Sequence, residues 1–109
     1  MPWLLLEEKV LSSIEIGSNE SFVGQSLHRR GGSEETQLIM STKLVHTFRR
    51  VKSEDFIFLD ESFKILEIRT LTPSRIKFSP LRTKSIVKTN EGNALRWDVQ
   101  VDDILEIRS

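Results

Sequence analysis

The most constraining feature of the sequence is an unbroken apolar run at residues 56–59, Phe-Ile-Phe-Leu, which lies between Asp55 and Asp60. Because the side chains of a strand point alternately to the two faces of a sheet, such a run is typical of a strand that is buried on both faces. Asp60 begins a polar turn, and residues 63–69 return with apolar side chains inside a charged alternation. The pattern therefore predicts a hairpin whose first strand is central in a sheet.

Short apolar segments bounded by Gly, Pro or polar turns occupy much of the remaining chain. They predict further strands at residues 10–16, 37–40, 44–48, 76–78, 83–88 and 104–107. Residues 3–6, Trp-Leu-Leu-Leu, are expected to pack into the core, with an exposed dimer contact as the alternative. Many short strands with turns between them favour a mostly β fold, here a small single-domain β-sandwich or barrel.

One or two short helices complete the predicted fold. The first covers about residues 18–29, with Ser18 as its N-cap and a Gly-Gly pair after Arg30 as its stop signal. The second begins near Asn90 and has one or two turns. Its inward-facing residues are predicted to be Ala94, Leu95 and Trp97.

The length of the chain, 109 residues, suits one domain, and no linker, repeat or low-complexity tract divides it. Residues 1–109 are therefore predicted to form a single domain. The chain contains no cysteine, which excludes disulfides, thiolate nucleophiles and zinc sites built on cysteine. The longest apolar runs have four or five residues, whereas a membrane span needs about 20. We expect a cytoplasmic protein with no cofactor and no membrane partner.

The charge of the chain is balanced, with 16 Lys and Arg against 16 Asp and Glu. This balance predicts no bulk attraction to nucleic acid. The charge is uneven, however, since residues 69–88 carry six basic side chains and no acidic one, whereas residues 91–106 carry five acidic side chains and one Arg. We interpret both stretches as solvated faces. The expected partner is a protein or a small anion, and the expected state is a monomer or a weak homodimer.

Two groups of motifs occur in a defined order. In the first, Val45-His46-Thr47-Phe48 precedes the strand led by Asp55, with nine residues from His46 to Asp55. The second runs from Ser85-Ile86-Val87 through Glu91-Gly92-Asn93-Ala94 to Asp102-Asp103-Ile104-Leu105. Together they resemble the bacterial and archaeal family called domain of unknown function 192, from about residue 10 onward. The resemblance implies a compact β-sandwich or barrel with one or two short helices, and it implies no established activity.

The chain departs from that family in three places, one of which is the end of the first predicted helix, where Gly24-Gln25-Ser26-Leu27-His28-Arg29 matches the family only in part. Residues 49–54 are Arg-Arg-Val-Lys-Ser-Glu, where the family has an apolar loop. Asp102-Asp103 stands where the family has Gly-Asp. An apolar loop of the family is therefore a charged loop in this chain.

His46 and Asp55 are the most suggestive pair for catalysis. A carboxylate beside an imidazole can orient it and raise its basicity, as general-base chemistry requires. With Phe48 and Arg29 the pair would line a pocket, and the protein would be a small enzyme or the remnant of one. The alternative is structural: Asp55 binds backbone N–H groups of the loop at residues 49–54, and His46 caps a strand end. No nucleophile or oxyanion motif accompanies the pair, which favours the structural role.

A basic patch is the second candidate site, for an anion or for weak nucleic-acid binding. Its members are Arg29, Arg30, Arg49, Arg50 and Lys52. The alternative is that the arginines of the first predicted helix complement its dipole and that the loop is solvated. His28 and His46 lie far apart with no metal-ligand spacing, so no metal is predicted. Without a nucleophile motif, a metal cluster or a nucleotide loop, the leading hypothesis is a non-enzymatic binding or accessory module.

Overall fold

The structure is a computed structural model that describes residues 2–17, 36–40, 43–47 and 51–108. These ranges form ten strands and one helix: β1 (Trp3–Leu6), β2 (Lys9–Ser13), β3 (Glu15–Gly17), β4 (Gln37–Met40), β5 (Leu44–His46), β6 (Glu54–Leu59), β7 (Ile65–Leu71), β8 (Ile76–Phe78), β9 (Ser85–Asn90), α1 (Asn93–Trp97) and β10 (Glu106–Arg108). The predicted mostly β fold with a short helix is confirmed.

The strand β6 lies inside a five-stranded sheet of order β3-β4-β9-β6-β7. It is antiparallel to both neighbours, and Ile57 faces Ile68 of β7 on one side and Val87 of β9 on the other. All six residues of β6 are buried. An apolar run that fills both faces of a strand is stable only where layers cover both faces of the sheet. The predicted hairpin and its central first strand are therefore confirmed.

The five-stranded sheet is the middle of three layers. Neighbouring residues of β6 point to opposite faces, so Ile57 packs into one core with Leu4 and Trp97, and Phe56 packs into another with Val45. The first core lies under the three-stranded sheet β10-β1-β2 and helix α1, and the second lies under the two-stranded ribbon β5-β8. Each buried aromatic or aliphatic side chain contributes about 1.5–3 kcal/mol. The layers are thus held together mainly through β6 and β9.

The segment at residues 10–16 is two strands, and the prediction of one strand is wrong. The first, β2, ends at Ser13 and pairs with β1, whereas β3 pairs in parallel with β4. Between them Ile14 is buried, and its N–H donates to the Pro2 carbonyl at 3.1 Å. The chain changes sheets at Ile14. The apolar alternation of the sequence nevertheless continues on both sides of this junction, although the two sides belong to different sheets.

Of the two predicted helices, the one at residues 18–29 lies outside the described residues. The second is α1, where Ala94 and Trp97 are buried as predicted. Leu95 is 85% exposed, so its predicted inward position is wrong. A helix of five residues has little more than one turn and can bury only one narrow face. Along the described ranges, no helix is long and apolar enough to cross a membrane.

Residues 3–6 were expected in the core, and the structure confirms that position. They form β1, the middle strand of the three-stranded sheet, in which Leu4 and Leu5 are buried. Trp3 at the start of the strand is 43% exposed. Leu4 and Leu6 pack into the core that contains Ile57 of β6. Of residues 3–6, Trp3 alone presents a large apolar surface to solvent.

Candidate functional site

Asp55 is a buried carboxylate that accepts three hydrogen bonds. Its Oδ1 accepts from the Thr70 hydroxyl at 2.6 Å, and its Oδ2 accepts from the backbone N–H groups of Gly92 and Ala94 at 3.1 Å each. Only 2% of the residue is exposed. The first turn of a helix has N–H groups without an intrahelical acceptor, and Gly92 has no side chain to provide one. Asp55 supplies that acceptor from the adjacent strand.

The two oxygens of Asp55 therefore hold α1 against the five-stranded sheet. The structural interpretation of this residue named backbone N–H groups of the loop at residues 49–54 as its donors, and that part of the interpretation is wrong. The donors belong to the start of α1, 37 and 39 residues further along the chain. Sequence reasoning missed them because nothing local to Asp55 indicates which distant element covers it.

His46 lies on another sheet. It ends β5, is half-buried, and stands opposite Ile76 in the two-stranded ribbon. Phe48 and Arg29, the other members of the predicted pocket, lie outside the described residues. The structure therefore brings Asp55 to Thr70 and α1, and the pocket formed with His46 stays a prediction.

Of the predicted basic patch, Lys52 is the one member within the described ranges, and it is exposed. Arg29, Arg30, Arg49 and Arg50 lie outside the described residues. An exposed lysine on the approach to β6 is compatible with both the anion patch and the solvated loop. The patch therefore stays a prediction.

A buried ion pair joins β9 to β6. Lys88 Nζ donates to Glu54 Oε2 at 3.2 Å, with 5% of the lysine side chain and 10% of the glutamate side chain exposed. The prediction that Lys88 lies on a solvated face is wrong. Since Ile86 and Lys88 are two residues apart on a strand, they share the face that packs on Phe56. Removing one member of such a pair is costly, although the intact pair adds little net stability.

A second polar group fastens α1 to the sheet. The hydroxyls of Thr36 and Thr89 share a hydrogen bond of 2.9 Å, and Asn93 Nδ2 donates to the Thr89 hydroxyl at 2.7 Å. The Asn93 carbonyl oxygen in turn accepts from the Arg96 guanidinium. Thr36, Thr89 and Asn93 are all buried. Because every one of these contacts ends within the fold, the group positions α1 and serves the architecture.

A cleft of about 330 Å³ lies where β6 ends and β9 begins. Lys84, just before β9, donates its backbone N–H to the Leu59 carbonyl at 2.7 Å. The pairing of β6 with β9 ends at this point. The residues that line the cleft are Asp60, Glu61, Ser62, Arg82 and Lys84. A volume of this size is at the lower end of the range for small-molecule sites, about 300–1,000 Å³. The cleft is therefore large enough for a small ligand.

Asp60 is fixed in the wall of this cleft by its own turn. Its Oδ1 accepts from the backbone N–H groups of Ser62 at 2.8 Å and Lys64 at 3.0 Å. The hydrogen bond from Lys64 lowers the pKa of Asp60, and the Ser62 N–H and the charges of Lys64 and Arg82 act in the same direction against a smaller opposing effect of burial. Asp60 therefore presents a carboxylate that is charged and preoriented.

From the sequence alone, Asp60 and Glu61 are predicted to lie in a turn, and Arg82 and Lys84 belong to a basic stretch predicted to be a solvated face. The signal that places them together is strand register: Leu59 pairs with Ser85, so the next residues outward, Asp60 and Lys84, must flank the same gap. Recognising it requires knowing that β6 pairs with β9, a separation of about 26 residues. Within the parts of the chain that the structure describes, no group of three or more His, Asp or Glu side chains is placed to hold a metal ion.

No protein-family model matches the chain, and no curated protein matches it. Two solved structures share its fold. A protein of unknown function from Novosphingobium aromaticivorans DSM 12444 is 14% identical with a TM-score of 0.72, over 96% of this chain and 82% of that chain. A protein from Sinorhizobium meliloti 1021, described as a "putative transcription regulator", is 17% identical with a TM-score of 0.74, over 96% of this chain and 90% of that chain.

At these identities the two likenesses show the fold alone. They define the chain as a member of a recurring class of small, layered β domains. The resemblance to the domain of unknown function 192 stays a prediction.

Proposed function

We propose that the chain is a non-enzymatic binding or accessory module. The observation that carries this proposal is the commitment of the Asp55 carboxylate, whose oxygens accept hydrogen bonds from Thr70, Gly92 and Ala94. A general base needs an oxygen within hydrogen-bond reach of the proton that it removes. A carboxylate that holds a helix in place supports a structural role for Asp55. The charged cleft beyond β6 then becomes the candidate place for binding.

We also propose that the chain is related to the domain of unknown function 192. Two separate pieces of the resemblance, the strand led by Asp55 and the Gly92-Asn93-Ala94 segment, are joined by hydrogen bonds. A physical link between motifs that are distant in sequence explains why they would occur together. A cytoplasmic location belongs to the same proposal, since a chain without cysteine suits a reducing compartment.

The proposal is tested by titrating ¹⁵N-labelled protein with a panel of small metabolites and recording both partners by NMR. The panel should contain amino acids, short peptides, nucleotides, sugar phosphates and carboxylic acids. We expect amide shifts at residues 59–64 and 82–85, with the spectrum of the bound compound unchanged over a day. Conversion of any compound that is lost in His46→Ala and Asp55→Asn, with both variants folded, would show an enzyme instead.

Nucleic-acid binding through the basic patch is the second candidate function. Lys52 is exposed on the approach to β6, and one protein of the same fold is described as a "putative transcription regulator". Binding of this kind depends steeply on salt because counterions are released from the phosphates. It predicts fluorescence-polarisation binding to a short duplex at low salt that weakens when Arg49 and Arg50 become alanine. Absence of binding at low salt removes this candidate.

A further inference from the structure

The cleft beyond β6 is lined by four charged side chains, two acidic and two basic. Asp60 and Glu61 come from the β6–β7 turn, and Arg82 and Lys84 come from the segment before β9. No ion pair joins any two of the four within the described part of the chain. Elsewhere in that part, Lys88 pairs with Glu54, and Arg69 and Lys77 both pair with Glu67.

Opposite charges that face one cleft without contact leave room for a ligand between them. We propose that the cleft binds a small zwitterion that carries both a carboxylate and an ammonium group, as a free amino acid or a short peptide does. Arg82 and Lys84 would receive the carboxylate, for which a guanidinium offers two parallel N–H donors. Asp60 and Glu61 would receive the ammonium group.

Ligands of a single charge fit this arrangement less well. An anion would gain from Arg82 and Lys84 but would be repelled by Asp60 and Glu61 across the same small volume. A monovalent cation would meet the reverse pattern. A zwitterion pairs with both groups, because its carboxylate meets the two bases and its ammonium group meets the two acids.

Preorganisation supports the ammonium side of the site. Asp60 is held by two backbone N–H groups through Oδ1, and the same contacts lower its pKa, so it stays ionised at neutral pH. Its Oδ2 accepts no hydrogen bond within the described residues. A carboxylate that is already fixed loses little conformational freedom when a ligand binds.

The inference rests on the proposed binding function and is tested with four probes. These are L-alanine, L-alanyl-L-alanine, N-acetyl-L-alanyl-L-alanine and L-alanyl-L-alaninamide, each titrated into ¹⁵N-labelled protein. We expect at least one of the first two to shift the amides of residues 59–64 and 82–85. The tighter of the two identifies the source of the zwitterion. The acetylated and amidated dipeptides, each lacking one charge, should bind at least about tenfold more weakly than the free dipeptide.

Variants separate the two arms of the site. Arg82→Gln and Lys84→Gln should weaken binding of the dipeptide but leave its amidated form, which has no carboxylate, unaffected. Glu61→Gln should weaken binding of the dipeptide but leave binding of the acetylated form, which has no ammonium group, unaffected. Arg75→Gln is the matched control, because Arg75 is an exposed arginine that follows the far end of β7 from the cleft. Its binding should equal that of the unmodified protein.

Three results would overturn the inference. Equal affinity for the acetylated and free dipeptides would make the cleft an anion site, and it would leave the binding function standing. Shifts that persist in Arg82→Gln and Lys84→Gln would place the ligand elsewhere. No shift with either zwitterion at tens of millimolar would remove the inference, whereas hydrolysis of the dipeptide would remove the proposed non-enzymatic function itself.

Discussion

Replacing Asp55 tests how the fold uses the one carboxylate among the predicted site residues. In Asp55→Ala the N–H groups of Gly92 and Ala94 lose their acceptor, as does the Thr70 hydroxyl. In Asp55→Asn one oxygen remains. That oxygen can turn toward the two N–H groups while the new Nδ2 donates to the Thr70 hydroxyl. The two variants therefore differ in the number of donors left without an acceptor, and Asp55→Asn also keeps the shape of the original side chain.

The expected magnitudes follow from this count. A buried donor left without an acceptor costs about 1–3 kcal/mol, and a lost N-cap costs about 0.5–2 kcal/mol. The Ala94 N–H is buried, whereas Gly92 and Thr70 are exposed, so their donors can turn to water. We therefore expect Asp55→Ala to lower the free energy of unfolding by about 3 kcal/mol, and Asp55→Asn by about 1 kcal/mol. Against a total of about 5–15 kcal/mol for a domain, the first loss is large.

Urea unfolding followed by circular dichroism measures both losses, and amide hydrogen exchange localises them. The N–H groups of Gly92 and Ala94 should exchange faster in Asp55→Ala than in the unmodified protein, while amides of β9 keep their protection until global unfolding. Glu91→Gln is the control, because this neighbouring acid is exposed and should change stability by less than about 0.5 kcal/mol.

Two results would refute the reasoning. A loss below about 1 kcal/mol in Asp55→Ala would mean that the three hydrogen bonds do not hold α1. Equal losses in Asp55→Ala and Asp55→Asn would mean that the negative charge matters and the acceptor geometry does not. If Asp55→Ala does not fold, Thr70→Val replaces one donor only and should still cost about 1 kcal/mol.

Three further predictions concern turns. Glu8 has a φ of 72° in the β1–β2 turn, so Glu8→Gly should raise the free energy of unfolding by about 1 kcal/mol in urea titrations, and a decrease would contradict the strain argument. Asp102 has a φ of 83° where the family resemblance has Gly, so Asp102→Gly should stabilise by a similar amount, measured in the same way. The folded pKa of Asp60 is lowered from 3.8, so its contribution to stability is full above that value and is lost as the pH falls through the folded pKa. As the pH is lowered below 4, the urea concentration at the midpoint of unfolding should therefore decrease less steeply in Asp60→Asn than in the unmodified protein.

Much of the strand content could be predicted from local patterns. The run at residues 56–59 identified the central strand because an apolar side chain on both faces has only one stable environment in a sheet. The sheet change at Ile14 could not be predicted in that way. Its alternation continues across the junction, and only the pairing of β2 with β1 and of β3 with β4 shows that the sheets differ. Leu95 was misplaced because helical spacing was applied to a helix too short to bury a full stripe.

Polar positions were harder to predict than apolar ones. Lys88 was assigned to solvent because five basic residues precede it in an acid-free stretch, yet its strand face is set by Ile86 and its partner is Glu54. Charge patterning reports composition along the chain, whereas burial depends on what covers each face. For Lys88 the two disagree, and the period of the strand was the better guide.

Asp55 and Asp60 show why the candidate site itself could not be read from the sequence. The two residues flank the same apolar run and are chemically identical. Asp55 lies in β6 near the end that α1 covers, so its two oxygens are used by the fold. Asp60 follows β6 at the end where β9 begins. One of its oxygens is used by the turn, and the residue lines an open cleft. The difference between a structural and a ligand-binding carboxylate here is therefore which end of β6 each residue occupies relative to β9. At the Asp55 end β9 leads into α1, and at the Asp60 end β9 begins. That arrangement is a property of the β6–β9 pairing and not of either aspartate.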